Sequence, residues 1–302
     1  MKLATPLVAA SGTFGFAEDF ERIERFSNDD IGAITLKSIS MKPRAGNPPP
    51  RIVETPAGII NSVGLANPGI VAFKERIVDD LKKYHTAFIA NIVGFTVKEY
   101  GEVAREFDDI DVVDALEVNI SCPNVKKGGI SFGTDPKQSF KVIDTVRKST
   151  DKLVIAKLTP NVTDITQIAK ACIDAGADMI SLINTVNAMV IDIETKRPVL
   201  HNNKGGLSGP AIKPIAVYLV NCVYNYVKDN KLDIPIIGMG GVLTYEDVLE
   251  FMIAGASAVS IGTGSFYDPF IYKNINNKLY EYLGKNKIND INKLVGSVCL
   301  NK

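Results

Sequence analysis

Eight short runs rich in Val, Ile and Leu recur along this 302-residue chain at intervals too long for hairpins, the pattern left by parallel strands buried on both faces. They are Leu7 to Ala10, Ile31 to Leu36, Ala87 to Val93, Ala115 to Ile120, Leu153 to Leu158, Met179 to Ile183, Ile234 to Met239 and Ala258 to Gly262. Most of the intervals carry helical periodicity. Val97 to Phe107 follows Thr96, a candidate N-cap, and Ile165, Ile168, Cys172 and Ile173 share one face of a helix that ends at Gly176. A faint repeat links two units. Thr163 to Ser181 and Thr244 to Ser260 each run cap, helix, Ala-Gly-Ala, strand. Alternating strands and helices suit a doubly wound sheet as well as a barrel, but eight similar units favour closure. The expectation is an α/β fold, a (β/α)8 TIM barrel, as a single domain over residues 1–302, a size that one barrel core accommodates.

Charge narrows the partners. Lys+Arg and Asp+Glu both total 34, so no summed positive field draws the chain to nucleic acid or an anionic membrane. No stretch approaches the roughly 18 uninterrupted apolar residues of a membrane span, and Met1 to Ser11 lacks the character of a targeting segment; a cytoplasmic location is expected. The four cysteines, Cys122, Cys172, Cys222 and Cys299, form no Cys-x-x-Cys pair and have no nearby His, so neither disulfide nor metal is expected. Cys172 and Cys222 lie on apolar helical faces and read as core fillers.

In such barrels the active site gathers at the carboxyl ends of the strands. Those ends are polar: Ser11-Gly12-Thr13, Lys37-Ser38, Asn91, Asn119 with Cys122, Lys157, Asn184-Thr185, Gly240-Gly241 and Gly262-Thr263. Any one reads equally well as a strand cap; all eight together point to a site. The glycines of the last two strands open their backbone N–H groups to a phosphorylated ligand. Lys157 ends a buried strand, where an ammonium requires an anionic partner: either a carboxylate, or the pyrimidine edge of a reduced flavin, which carries charge near N1. Lys37 is open to the same two readings. Cys122 stands among Asn119, Pro123 and Asn124 at a strand end, leading into the Gly-containing segment Lys126 to Gly133. A thiol there, with an ordinary pKa of about 8.5 that polar surroundings lower, suits removal of a proton from carbon.

These motifs resemble the dihydroorotate dehydrogenases over nearly the whole chain. The likeness rests on Ala-Ser-Gly at 10–12, Lys37, Asn-Ser-Val-Gly-Leu at 61–65, Asn-Ile-Ser-Cys-Pro-Asn-Val at 119–125, Phe-Gly-Thr-Asp-Pro at 132–136, Lys-Leu-Thr-Pro-Asn at 157–161, Ile-Asn-Thr at 183–185, Gly-Gly-Leu-Ser-Gly-Pro at 205–210 and Gly-Met-Gly-Gly at 238–241. The resemblance implies oxidation of dihydroorotate to orotate, with Cys122 taking the C5 proton while the C6 hydride passes to FMN. It places Lys37, Asn61, Ser62, Val63, Gly64, Leu65, Asn119, Asn124, Asn184 and Thr185 at the substrate. It places Ser11, Gly12, Thr13, Lys37, Ser38, Asn91, Asn119, Lys157, Ile183, Gly209, Gly240, Gly241, Gly262 and Thr263 at the flavin. The segment after Cys122 would be a lid.

Cysteine at 122 looks like the soluble class; the membrane-associated class has serine there and an added N-terminal segment. The start before Ala-Ser-Gly is shorter than is usual in relatives, which bears on the barrel floor. Asn124 to Asp135 looks more like the NAD-linked type B than the fumarate-linked type A. Type B implies a partner subunit bringing FAD and a 2Fe-2S iron-sulfur cluster with NAD as acceptor, for this chain has no cysteine grouping for a cluster and no Gly-x-Gly-x-x-Gly at a strand–helix junction. A homodimer of catalytic chains within a heterotetramer is the assembly this implies. The competing readings are another dihydropyrimidine dehydrogenase, a flavin-free lyase or isomerase of phosphorylated metabolites, and a non-catalytic barrel retained as a binding scaffold.

Overall fold

A computed structural model describes residues 1–20, 23–121 and 132–301, with the backbone alone at 123–124 and 130–131. Eight parallel strands form its centre: β1 (Leu7–Ala9), β2 (Ala33–Ile39), β3 (Ala87–Ile92), β4 (Ala115–Asn119), β5 (Leu153–Lys157), β6 (Met179–Leu182), β7 (Ile236–Met239) and β8 (Ala258–Ile261). Each falls on one of the eight apolar runs. The ring closes because β1 pairs with β8 on one side and β2 on the other. Helices α1 (Gly69–Arg76), α2 (Val97–Asp108), α3 (Pro136–Arg147), α4 (Ile165–Asp174), α5 (Lys213–Asp229) and α6 (Tyr245–Ala254) carry the crossovers from β2 onward, and α7 (Ile271–Lys285) follows β8. Between β1 and β2 the described residues form only a short 3-10 turn, Asn28–Asp30.

Local chemistry sets the helix starts. Thr96 caps α2 by accepting from the Glu99 N–H, as the sequence predicts. Thr244 caps α6 within a reciprocal box, the Asp247 side chain accepting in return from the Thr244 N–H. The cap of α4 is Asp164 and not Thr163: its carboxylate accepts from the Thr166 N–H at 2.9 Å.

The two-residue period of the strands sorts the core. Leu7, Ala9, Ile34, Leu36, Leu116 and Val118 point outward into the main cluster under the helices. Val8, Ala33, Ile89, Ala115, Ile155 and Ile237 point inward and make a separate apolar cluster inside the barrel. Above it the inward positions turn polar, with Thr35, Asn91, Glu117, Lys157, Ser181 and Ser260 all buried.

The two long excursions, Ser40 to Pro68 and Asn184 to Pro210, join each other. A hairpin of Ile52–Thr55 and Gly58–Asn61 pairs with Gly205–Ser208, which pairs with Val186–Ala188, giving one four-stranded antiparallel sheet. The register sets Asn61 against Gly206 and Ile59 against Ser208. Glycine is needed at the crossing: a Cβ on Gly58, at φ +151°, would meet the Ser208 carbonyl oxygen at 1.9 Å.

Candidate active site

Residues from the carboxyl ends of the strands and from this sheet surround a cavity of about 370 Å3, within the roughly 300–1,000 Å3 of small-molecule pockets. Its wall takes Ser11, Gly12 and Thr13 from beyond β1, Lys37 and Ser38 from β2, and Asn91 from β3. Asn119 comes from β4, Lys157 from β5, and Ile183, Asn184 and Thr185 from beyond β6. The glycine ends follow, Gly240 and Gly241 after β7 and Gly262 with Thr263 after β8. Asn61, Val63, Leu65 and Gly209 join the wall from the sheet and its flanks.

Ser62 and Gly64 are not part of that wall. The Ser62 hydroxyl accepts from the Asn47 side chain at 3.0 Å, and a Cβ on Gly64 would meet the Asn47 Cγ at 2.6 Å; both turn toward Asn47. Cys122 and the side chain of Asn124 lie outside the described residues, as do 125–129 of the segment expected to form a lid.

The polar groups of the wall are held by one another. The Asn184 Nδ2 donates to Asn119 Oδ1 at 3.3 Å and to Ser121 Oγ at 3.0 Å. The buried Tyr100 hydroxyl donates to the Asn119 carbonyl at 2.7 Å, and Asn161 donates to the Thr185 carbonyl at 3.0 Å. Asn61 is tied to the Gly206 carbonyl at 3.3 Å, so residues from three separate stretches of chain present amides to one space. Locked rotamers of this kind favour precise recognition of a ligand with matching donors and acceptors.

The two lysines differ. The Lys37 ammonium has no hydrogen-bond or ion-pair partner among the described residues, and it lines the cavity half-buried, a position that favours an anion. Lys157 has a carboxylate: its Nζ lies 3.2 Å from Glu117 Oε2, with the two side chains 7% and 3% exposed. The same Oε2 accepts from Asn91 Nδ2 at 2.6 Å, while Oε1 accepts from Ser181 Oγ at 2.8 Å. Asn91 Oδ1 accepts from Ser38 Oγ at 2.5 Å. Glu117 is thus the centre of a buried network that sequence reasoning passed over. Its signal was available, since Glu117 precedes Asn119 by two residues and a strand with inward Asn119 must also turn Glu117 inward.

Ser208, Met239 and Phe266 also join the wall unannounced; the Thr263 hydroxyl donates to Ser208 Oγ at 2.8 Å.

The glycine ends leave backbone bare at the wall, where N–H groups suit a phosphorylated ligand. A Cβ on Gly262 would stand 3.6 Å from the Ala10 Cβ and 3.8 Å from the Thr13 Cγ2, and so project among wall residues where a ligand belongs. Gly241 sits at φ +75° with a would-be Cβ 2.7 Å from the Gly209 carbonyl oxygen. The segment from Gly241 to α6 is anchored by Asp247, whose carboxylate accepts from the Leu243 and Thr244 N–H groups at 2.9 Å each and from Lys213 Nζ at 2.7 Å. Burial pushes the Asp247 carboxyl up, but the Lys213 ammonium and the two N–H donors outweigh it and hold the group below its ordinary value of 3.8.

A closed parallel barrel that collects amides, two lysines and bare backbone around a cavity at its carboxyl face has the build of a barrel enzyme. The chain belongs to the dihydroorotate dehydrogenase family, whose model matches residues 1–283. It is 49% identical over 298 residues to the dihydroorotate dehydrogenase B (NAD(+)), catalytic subunit, of Geotalea uraniireducens, covering 99% of this chain and 95% of that one. To the protein of the same name from Geobacter sulfurreducens it is 51% identical over 296 residues, 98% of this chain and 95% of that one. The fold matches the crystal structure of DHODH in complex with ferulenol from Eimeria tenella with a TM-score of 0.79 at 23% identity, over 97% of this chain and 85% of that one.

Proposed function

We propose that this chain oxidises (S)-dihydroorotate to orotate, the redox step of pyrimidine synthesis, as the catalytic subunit of an NAD-linked type B enzyme, in one catalytic domain over residues 1–302. The name carried by relatives about half identical over nearly full length supports both the substrate and NAD over fumarate. The observation that carries the site reading is the half-buried Lys37 ammonium, unpaired among the described residues, in one wall with Asn61, Asn119, Asn184 and Thr185. A cyclic imide bearing a carboxylate offers an anion to the first and alternating donors and acceptors to the rest.

FMN would be held in the same cavity by Ser11, Gly12, Thr13, Lys37, Ser38, Asn91, Asn119, Lys157, Ile183 and Gly209, with the bare backbone of Gly240, Gly241, Gly262 and Thr263 suited to a phosphate. When bound it supplies a two-electron acceptor for the hydrogen leaving C6. Lys37 and the asparagines, Asn124 among them, would orient the pyrimidine, Cys122 would take the C5 proton, and the segment after Cys122 would exclude water. Electrons leave through a partner subunit that carries FAD and a 2Fe-2S cluster, in a heterotetramer built on a homodimer of this chain. No helix among the described residues is long and apolar enough to cross a membrane.

The test is turnover by the purified chain with an artificial acceptor. Yellow protein that oxidises dihydroorotate and leaves dihydrouracil untouched is the expected result; colourless protein, or preference for dihydrouracil, refutes the assignment. Copurification of a flavin- and iron-containing subunit that confers NAD reduction tests the partner.

A further inference from the structure

We propose that Glu117 is a positioning residue that sets the charge of the cavity wall through Lys157, and with it the balance between oxidised and reduced flavin. The inference rests on the flavin reading above.

Glu117 is not itself in the cavity wall; Lys157 and Asn91, which it holds, both are. Strand register explains the arrangement. Asn91 pairs with Glu117 across β3 and β4, Asn119 with Lys157 across β4 and β5, and Ser181 with Lys157 across β5 and β6. A carboxylate one layer below Asn119 therefore reaches groups from both adjacent strands and from β6, one strand further round the ring. Its Oε2 takes the Lys157 ammonium and the Asn91 amide, and its Oε1 takes the Ser181 hydroxyl. Accepting from Asn91 Nδ2 also turns the Asn91 Oδ1 toward Ser38, a further wall residue.

Two consequences follow from charge. The wall carries a lysine whose field is largely cancelled by an anion 3.2 Å away, in surroundings that screen little. A bare ammonium there would favour the reduced flavin, which bears negative charge on its pyrimidine edge, over the neutral oxidised ring. Glu117 opposes this, holding Lys157 in place while limiting how strongly it pulls electrons onto the flavin. A carboxylate that only filled a buried hydrogen-bonding need would be replaceable by an amide without effect on that balance.

The experiment is a spectroscopic redox titration of flavin bound to the wild-type chain and to Glu117→Gln, Glu117→Asp and Lys157→Met, with sulfite titration of the oxidised flavin as a second reading. Sulfite adds to the ring and leaves negative charge on the pyrimidine edge, so its affinity reports the same field. For Glu117→Gln we expect the reduced form to gain about tenfold or more over the oxidised form, which is about 30 mV upward for a two-electron couple, with sulfite tighter by a similar factor. Lys157→Met shifts both readings the opposite way. Glu117→Asp keeps the charge but draws it back by one methylene, and gives a smaller shift of the same sign as the Gln variant. If the Gln chain does not retain flavin, the Asp chain decides alone. Unchanged potential and sulfite affinity in flavin-loaded variants overturn the role of Glu117 and leave the flavin reading standing; a wild-type chain that binds no FMN overturns both.

Discussion

Replacing Asp247 by alanine tests how the loop carrying Gly240 and Gly241 is anchored. The carboxylate is buried and accepts three hydrogen bonds, two from backbone N–H groups at the start of α6 and one from Lys213. Loss of an N-terminal box costs about 1 kcal/mol, and loss of a charge-assisted hydrogen bond about 2 kcal/mol. Lys213 keeps Glu250 at 2.7 Å and is not stranded, so the total stays near 3 kcal/mol. With an unfolding entropy of about 2.1 cal/mol/K per residue, a chain of this length loses about 5 °C in melting temperature. The assay is calorimetry or flavin fluorescence on heating. Because the Asp247 carboxyl is held below 3.8 in the folded chain, its contribution is complete above that value and is lost as the pH falls through the folded-state value. The gap between wild type and Asp247→Ala is therefore constant near neutrality and closes only in strong acid. A gap under about 1 °C at pH 7 would refute the anchoring argument.

Cys122→Ala is expected to keep FMN and lose turnover at neutral pH, with Cys122→Ser recovering part of it only at higher pH; full activity in the alanine chain removes the thiol from the mechanism. Lys37→Met should weaken orotate binding by about tenfold or more, the value of one charged hydrogen bond, read from the flavin spectrum on titration. Gly209→Ala places a Cβ 2.6 Å from the Gly58 Cα at φ +100°; a lower melting temperature and weaker FMN retention are expected, and wild-type values for both would contradict the close approach. Burial pushes the Cys172 thiol far above its usual range, while Cys299 is exposed, so brief alkylation of the native chain should label Cys299 and spare Cys172, as peptide mapping will show.

The eight strands were legible because each is buried on both faces and so spells a continuous apolar run, and Thr96 and Thr244 announced their helices by cap chemistry. The sheet made by the two excursions was not. Gly205-Gly206-Leu207-Ser208 has neither alternation nor β-branched residues, and its pairing with Gly58–Asn61 is set by backbone approach at glycine and not by side chains. The polar strand ends pointed to the cavity wall, while Ser62 and Gly64 sat in a motif that contributes only its alternate residues to that wall. For Glu117 the two-residue spacing from Asn119 gave its inward side, but its role was out of reach, because its partners Asn91, Lys157 and Ser181 lie on three other strands.

The amide of Asn61 meets a carbonyl 145 positions further along the chain. During synthesis the ribosome must release residue 208 before the roof of the cavity has its second half, by which time six of the eight barrel strands have waited without a finished ceiling. Pairing over such a span is slow to form. A fragment ending before Gly205 is thus expected to leave its growing barrel uncovered, however well its own segments associate.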